Sequence, residues 1–255
     1  MSHALSDTWT LAVRTLKHNL RSADTIVTVL VMPLMILLAF VFVLGGAMNT
    51  GQGKYVNFVV PVVLLMCIAS GVAYTSYRIN LDITTGIFAR FRTMPIARTA
   101  LVGGHVLASV IANAASVVVI LGIALAIGYR PHPTGAGWGI SLGLLLSSVV
   151  AFSAVGVAFG VLAKSNEGAG MFSYILMALL FVSSGFAPTS TMPAGLRAFA
   201  DHQPLTPIIN AIRNAQLGAP LGNDGWLALG WLLVITIVFA VLAGVGQRSV
   251  ATRHL

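Results

Sequence analysis

The residues best placed to do work form one run: Arg78-Ile79-Asn80-Leu81-Asp82-Ile83-Thr84-Thr85-Gly86-Ile87-Phe88-Ala89-Arg90-Phe91-Arg92-Thr93-Met94-Pro95-Ile96-Ala97-Arg98. It is the densest charge in the chain. Ile83, Ile87, Phe88 and Phe91 fall at helical spacing with Arg90 and Arg92 beside them, the pattern of a short amphipathic helix. Large apolar groups flanked by cations suit either a socket on a cytoplasmic protein or the headgroup layer of a membrane. Bond-breaking chemistry has no comparable candidate. The sequence holds no H-E-x-x-H, no G-x-S-x-G and no pair of intramembrane aspartates, so neither a catalytic nor a metal site is expected. A G-x-x-x-x-G-K-[ST] phosphate loop is also missing; Gly53-Lys54-Tyr55 is the nearest fragment and lacks the upstream spacing and the hydroxyl.

Composition says what must position that run. Of 255 residues, 57% are hydrophobic and 8% charged, and the mean hydropathy is +0.93. Soluble domains are roughly a quarter charged, so this chain cannot cover a water-facing surface. A single cysteine, Cys67, excludes a disulfide scaffold. The net charge of +8 does not imply a nucleic-acid partner, because the basic residues are dispersed over loops rather than gathered on one face.

A hydrocarbon core of about 30 Å takes roughly 20 helical residues. Six stretches qualify: 26–47, 56–77, 102–127, 139–162, 170–187 and 226–246. The fifth is the shortest and is stopped by Pro188. The runs are continuous rather than alternating, which predicts helices and not barrel strands. The fold class is therefore an all-α polytopic membrane protein, one domain over residues 1–255. Of the fourteen Lys and Arg, ten fall on the side that carries the 82–98 loop and four on the other. That bias places both termini in the cytoplasm.

Two further segments are patterned. Within residues 4–24, Leu5, Trp9, Ala12, Val13, Leu16 and Leu20 share one helical face, with Arg14, Lys17, His18 and Arg21 opposite. This predicts an interfacial helix among membrane lipids, either a simple anchor or a mechanical part. In the outer loop, 188–225, Leu196 and Phe199 and then Ile208, Ile209, Ile212 and Ala215 make two apolar faces separated by proline. They predict two short helices dipping into the outer leaflet before the sixth span.

Within the six stretches there is no Asp, Glu, Lys or Arg, which speaks against ion-driven transport. Any energy must then come from another protein. His105, Ser109, Asn113 and Ser116 lie within about 80° of one face of the third span, a stripe that either joins helices or lines a path. Tyr74, Tyr77, Tyr174, Phe181 and Phe186 could compose an aromatic, apolar path or serve as ordinary packing. Gly139-x-x-x-Gly143 and Gly156-x-x-x-Gly160 are candidate seams for close helix contact.

The joint order is specific: a basic leading helix, G-x-x-x-R-F-R-x-x-P after the second span, then P-x-x-x-M-P-x-x-L and P-L-T-x-x-x-x-x-x-R before the sixth. In this the chain resembles the permease subunit of ABC type-2 exporters, particularly the daunorubicin-resistance-like drug exporters. Gln203 stands where that family commonly has Asn, keeping a side-chain amide. The resemblance implies a bacterial plasma-membrane dimer with a second permease chain, identical or homologous, served by two copies of a cytoplasmic ABC ATPase. It implies ATP and Mg on that partner and no cofactor on this chain. It makes residues 86–95, with Gly86, Phe88, Arg90, Phe91, Arg92 and Pro95, the coupling helix, and a lipophilic drug, antibiotic or natural product the cargo. Export of a lipid or lipid-linked glycan is the alternative, and an ATP-independent channel or membrane scaffold the second.

Two predictions follow from these patterns. The purified chain alone neither binds nor hydrolyses ATP; turnover above background, with contaminating ATPases excluded, would contradict this. With Cys67 replaced, a cysteine at position 54 or 222 reacts with an impermeant reagent from outside, and one at 250 reacts only after permeabilisation. Outside labelling at 250 would mean that the spans are miscounted.

Overall fold

The computed structural model describes residues 2–47, 54–85 and 98–252, and every regular element among them is helical. In chain order these are α1 (Ser2–Arg21), α2 (residues 23–44), α3 (Tyr55–Thr84), α4 (Arg98–Ala126) and α5 (Gly137–Leu162). Then come α6 (Asn166–Phe181), α7 (Ala194–His202), α8 (Leu205–Leu217) and α9 (Gly222–Thr252). The expected coupling residues Gly86, Phe88, Arg90, Phe91, Arg92 and Pro95 lie outside the described residues.

Among the described residues five helices are long and apolar enough to cross a membrane: Val27–Leu44 in α2, all of α3, Gly103–Ala126 in α4, all of α5, and Gly222–Gly246 in α9. Where a fifth of six spans is expected stands α6, with 16 residues, fewer than the roughly 20 of a straight crossing. Local hydrogen bonds end it early. The Ser183 hydroxyl donates back to Leu180 O, and Gly185 N donates to Ser183 Oγ at 3.1 Å, so side chains compete with the helical ladder.

The expected first span is not a plain α-helix either. Val27–Val31 and Ala39–Leu44 are π-helical, separated by α-helical Met32–Leu38. Pro33 sits in the first turn of that middle piece. Its ring crowds the carbonyl four residues back and it offers no N–H, and the widened turn before it relieves both demands.

Helix α3 is the mast of the bundle. Residues 58–70 are all buried, as a helix apolar on every side must be. Burial in a bilayer brings no hydrophobic gain of its own, so contact must come from close packing and internal hydrogen bonds. Gly156 on α5 lies so near α3 that a Cβ there would be 2.6 Å from Val72 Cγ1, and one on Gly160 would be 2.8 Å from Ser76 O. The 156–160 seam is thus used within the chain. The 139–143 seam is not, since both glycines face open space. Helices α2 and α9 form the outer surface, where Phe42, Val43, Leu233 and Val241 are exposed.

At about 1.5 Å per residue the 30 residues of α3 extend some 45 Å, beyond the hydrocarbon core. No proline or glycine interrupts residues 77–85, so the helix continues past the expected end at 77 and carries Arg78 and Asp82. This corrects two expectations. One candidate span does bear charge, and Ile83 packs inward beside Ile79, Val157 and Val161 instead of belonging to a docking helix.

The leading helix α1 lies along the start of α4. A Cβ on Gly104 would be 2.8 Å from Leu11 Cβ, and one on Gly103 would be 3.3 Å from Thr8 Cγ2. Of its expected apolar face, Ala12 is buried while Trp9 stays 56% exposed.

The two short outer helices behave differently from each other. α7 rides on the surface with Leu196 and Phe199 exposed and a solvent-side Arg197–Asp201 pair at 3.5 Å. α8 is packed in, burying Ile208, Ile209, Ile212 and Ala215. It ends at Gly218, whose φ of 70° suits glycine and lets its N–H cap Asn214 O. His132 N then donates to Gln216 O at 3.0 Å, and the Gln216 amide bridges Tyr129 Oη at 2.8 Å and Ser141 Oγ at 3.0 Å.

Arg213, only 4% exposed, fixes the other side of α8. Its Nε donates to Phe58 O on α3 at 3.1 Å, and Nη2 to Ser184 O at 2.8 Å and Gly185 O at 3.4 Å. Nη1 donates to Asn210 Oδ1 at 3.0 Å, and the guanidinium lies 3.7 Å from the centroid of the Phe58 ring. No carboxylate is within ion-pair distance of it among the described residues. The cation serves as a fan of donors to carbonyls. Each carbonyl left unpaired costs about 1–3 kcal/mol, so Arg213→Met should lower stability in detergent on the order of 3 kcal/mol. Arg213→Lys, a single point donor, should recover less than half. Wild-type thermal unfolding of Arg213→Met would refute this role.

Candidate functional site

The end of α3 and the start of α4 flank residues 86–97, which the sequence marks for coupling, and their mutual geometry is polar. His105 Nε2 lies 3.0 Å from Asp82 Oδ2, with both side chains buried. One turn deeper, Ser109 Oγ is 3.3 Å from Ser153 Oγ on α5. A turn further in, Asn113 Nδ2 donates to Ser109 Oγ at 3.1 Å. The Asn113 amide occupies the space that a side chain on Gly71 of α3 would need. Three of the four residues in the stripe on the expected third span, His105, Ser109 and Asn113, thus form a ladder joining α4 to α3 and α5.

A second set of bonds holds α3 to α5 and α6 at the same inner level. Asn80 Nδ2 donates to Gly160 O at 3.0 Å and Ala163 O at 2.8 Å, satisfying carbonyls at the end of α5. Ser76 Oγ donates to Ala169 O on α6 at 2.8 Å. Sequence reasoning missed Asp82 and Asn80 as structural contacts because it ended the span at 77, and it assigned no partner to Ser76 inside that span. The four-residue spacing of Ser76 and Asn80, one helical face, was the available signal.

The aromatic residues expected to line a path are only partly gathered. Phe181 stacks on Phe186 with centroids 5.0 Å apart, and Phe186 meets Phe40 of α2 at 4.4 Å. Phe186 is buried, and its carbonyl accepts from Tyr55 Oη at 2.8 Å. Tyr174 is 76% exposed and Tyr77 40% exposed. Among the described residues no ring contact joins Tyr74, Tyr77 or Tyr174 to the Phe40–Phe181–Phe186 group. A separate cluster, Phe159, Phe172 and Phe239, knits α5, α6 and α9 with centroids 4.6–6.1 Å apart. A small crevice between α3, α5 and α6 is lined by Val72, Ser76, Gly156, Phe172, Ser173 and Leu176.

Gln203, the departure from the expected motif, caps α6. Its Nε2 donates to Leu179 O at 2.9 Å and Val182 O at 3.2 Å, two of the carbonyls that a helix end leaves without partners. The longer side chain meets the demand an amide is suited to at this place.

Comparison with known proteins bears on the same features. The family model described as ABC-2 type transporter matches residues 6–217. The chain is 30% identical over 220 residues to the daunorubicin resistance ABC transporter permease protein DrrB1 of Streptomyces coeruleorubidus, covering 85% of this chain and 77% of that protein. It is 25% identical over 248 residues to the probable doxorubicin resistance ABC transporter permease protein DrrC of Mycobacterium tuberculosis, covering 94% of this chain and 87% of that protein. The motif-bearing inner and outer segments, the all-helical bundle and the matched family agree: this multi-pass membrane chain belongs to the ABC-2 type transporter family of permeases.

Proposed function

We propose that this chain is the permease of an ATP-driven exporter that moves a lipophilic drug, antibiotic or natural product outward across a bacterial plasma membrane. The observation that carries the reading is similarity along most of the chain to permeases named for daunorubicin and doxorubicin resistance. Its partners are a second permease chain, identical or homologous, and two copies of a cytoplasmic ABC ATPase that hold ATP and Mg. The missing phosphate loop supports that division of labour, because the hydrolysis must occur on another polypeptide.

A six-crossing topology with both termini inside fits this reading, with α6 as the fifth crossing. Support comes from what α6 touches at its two ends. Its first turn bonds Ser76 on α3, and the turn after it bonds Tyr55 at the other end of α3. Those two α3 residues are about 31 Å apart along a helix axis, close to the thickness of the hydrocarbon core. A short α6 continued by the irregular 182–187 turn therefore covers the distance. The basic leading helix α1 then lies at the inner interface, and Phe40, Phe181 and Phe186 are the aromatic candidates nearest an outer exit.

Residues 86–95 would receive the ATPase stroke through apolar side chains, Phe88 and Phe91 as anchors and Arg90 and Arg92 as steering charges. Losing a buried aromatic anchor costs on the order of 2 kcal/mol, about thirtyfold in affinity. Reconstituted with its ATPase in vesicles, the wild-type pair should drive ATP-dependent movement of daunorubicin. Phe91→Ala should lose transport and ATPase co-purification while inserting normally. Arg92→Ala should be milder and depend on salt. Phe91→Ala with wild-type partner retention and transport would overturn the coupling assignment, and movement of a lipid but not of the drug would overturn the cargo.

A further inference from the structure

We propose that Asp82 and His105 form a positioning pair that makes α3 and α4 move as one body when the loop between them is displaced. The inference rests on the reading that residues 86–95 receive the stroke from the ATPase. Three observations lead to it. Asp82 is the last buried polar residue of α3 before residues 86–97, and His105 stands on α4 shortly after them. The pair therefore links the two stems of the loop directly, at 3.0 Å. Deeper rungs of the same ladder are hydroxyl and amide contacts, Ser109–Ser153 and Asn113–Ser109, so the ionisable rung is the one nearest the loop.

The second observation concerns what surrounds the pair. Asn80, two residues before Asp82, is bonded to Gly160 O and Ala163 O of α5. Gly104, adjacent to His105, lies against Leu11 and Ala12 of α1. Each partner thus has an independent tie to a different helix, α3 to α5 and α4 to α1. The Asp82–His105 contact joins these two assemblies where the loop leaves them.

The third is chemical. A buried carboxylate costs free energy unless it is paired. An apolar contact would hold α3 and α4 together as well, without direction. A charge-assisted hydrogen bond is shorter and more directional than dispersion contact, and it resists the shear between stems that a push on one end of the loop produces. Without it, the stems would splay, and a stroke received on one would be carried only partly to the other.

The measurement is the ratio of substrate moved to ATP hydrolysed, in vesicles holding this chain and its ATPase, with co-purification of the ATPase scored in parallel. Asp82→Ala and His105→Ala should each retain the ATPase and its hydrolysis yet lower the ratio at least fivefold. The exchanged pair, Asp82→His with His105→Asp, should restore at least half of the wild-type ratio. A simple folding role would instead lower the amount of inserted chain and leave the ratio of the remainder unchanged. Should either alanine variant fail to insert, Asp82→Asn and His105→Gln, which keep size and one hydrogen bond, take their place with the same expected fall. A wild-type ratio in the single variants, loss of the ATPase from them, or an exchanged pair no better than the singles would each overturn the proposal. Phe91→Ala in the same preparation separates the two readings. If it keeps both partner and transport, the loop assignment has failed. If it loses them while Asp82→Ala keeps the wild-type ratio, only the positioning role has failed.

Discussion

A carbonyl or amide inside hydrocarbon has no water to bond, so every break in a helix at membrane depth must be answered by a side chain brought from elsewhere. Much of this structure is arranged around that constraint at the end that carries α8. Helix α6 stops after 16 residues, and the turn that follows would leave several carbonyls bare. Gln203 reaches Leu179 O and Val182 O, Arg213 reaches Ser184 O and Gly185 O, and Tyr55 reaches Phe186 O. All three donors are buried. The packing of α8 follows from this, because Arg213 can serve those carbonyls only if its helix is pressed against α3.

The same constraint has a different solution at the opposite end, where α3 finishes and α4 begins. There α3, α4 and α5 remain regular, and polar side chains are spent on joining them. Asp82–His105, Ser109–Ser153 and the Asn80 amide on α5 carbonyls tie α3, α4 and α5 at neighbouring levels. Close approach makes these bonds possible, since Gly71 leaves room for the Asn113 amide and Gly160 lets α5 meet α3. In a bilayer, where apolar surfaces gain little by meeting one another, small residues and hydrogen bonds set the order of helices. One end is thus held by Arg213, Gln203 and Tyr55 on irregular backbone, and the other by side chains on regular helices.

Several elements were legible from pattern alone. The run of apolar residues in α3 and the polar stripe on α4 follow from helical periodicity, and the burial of α8 from the apolar face of Ile208, Ile209 and Ile212. Others were not. Residues 78–84 read as loop because Arg78, Asn80 and Asp82 interrupt the apolar run, yet α3 continues through them, since its neighbours provide Gly160 O, Ala163 O and His105 as partners. The two glycine seams look alike in sequence, and only one meets a neighbouring helix. The aromatic residues also divide, Phe186 buried in the turn that follows α6 and Tyr174 exposed on α6 itself.

Sequence by itself determined that this is a helical membrane protein, which segments are apolar enough to cross, which side carries the positive charge, and that no phosphate loop lies on this chain. These are sums over local residues, and the bilayer reads them locally: length, hydropathy and charge act on each segment before any helix meets another. Tertiary structure decided that Asp82 pairs with His105, that Arg213 serves carbonyls rather than an acid, and that α6 ends early. The reason is that a polar group in an apolar medium takes whichever partner the fold brings within about 3 Å, and that partner is 23 residues away for His105 and 155 for the Phe58 carbonyl bound by Arg213.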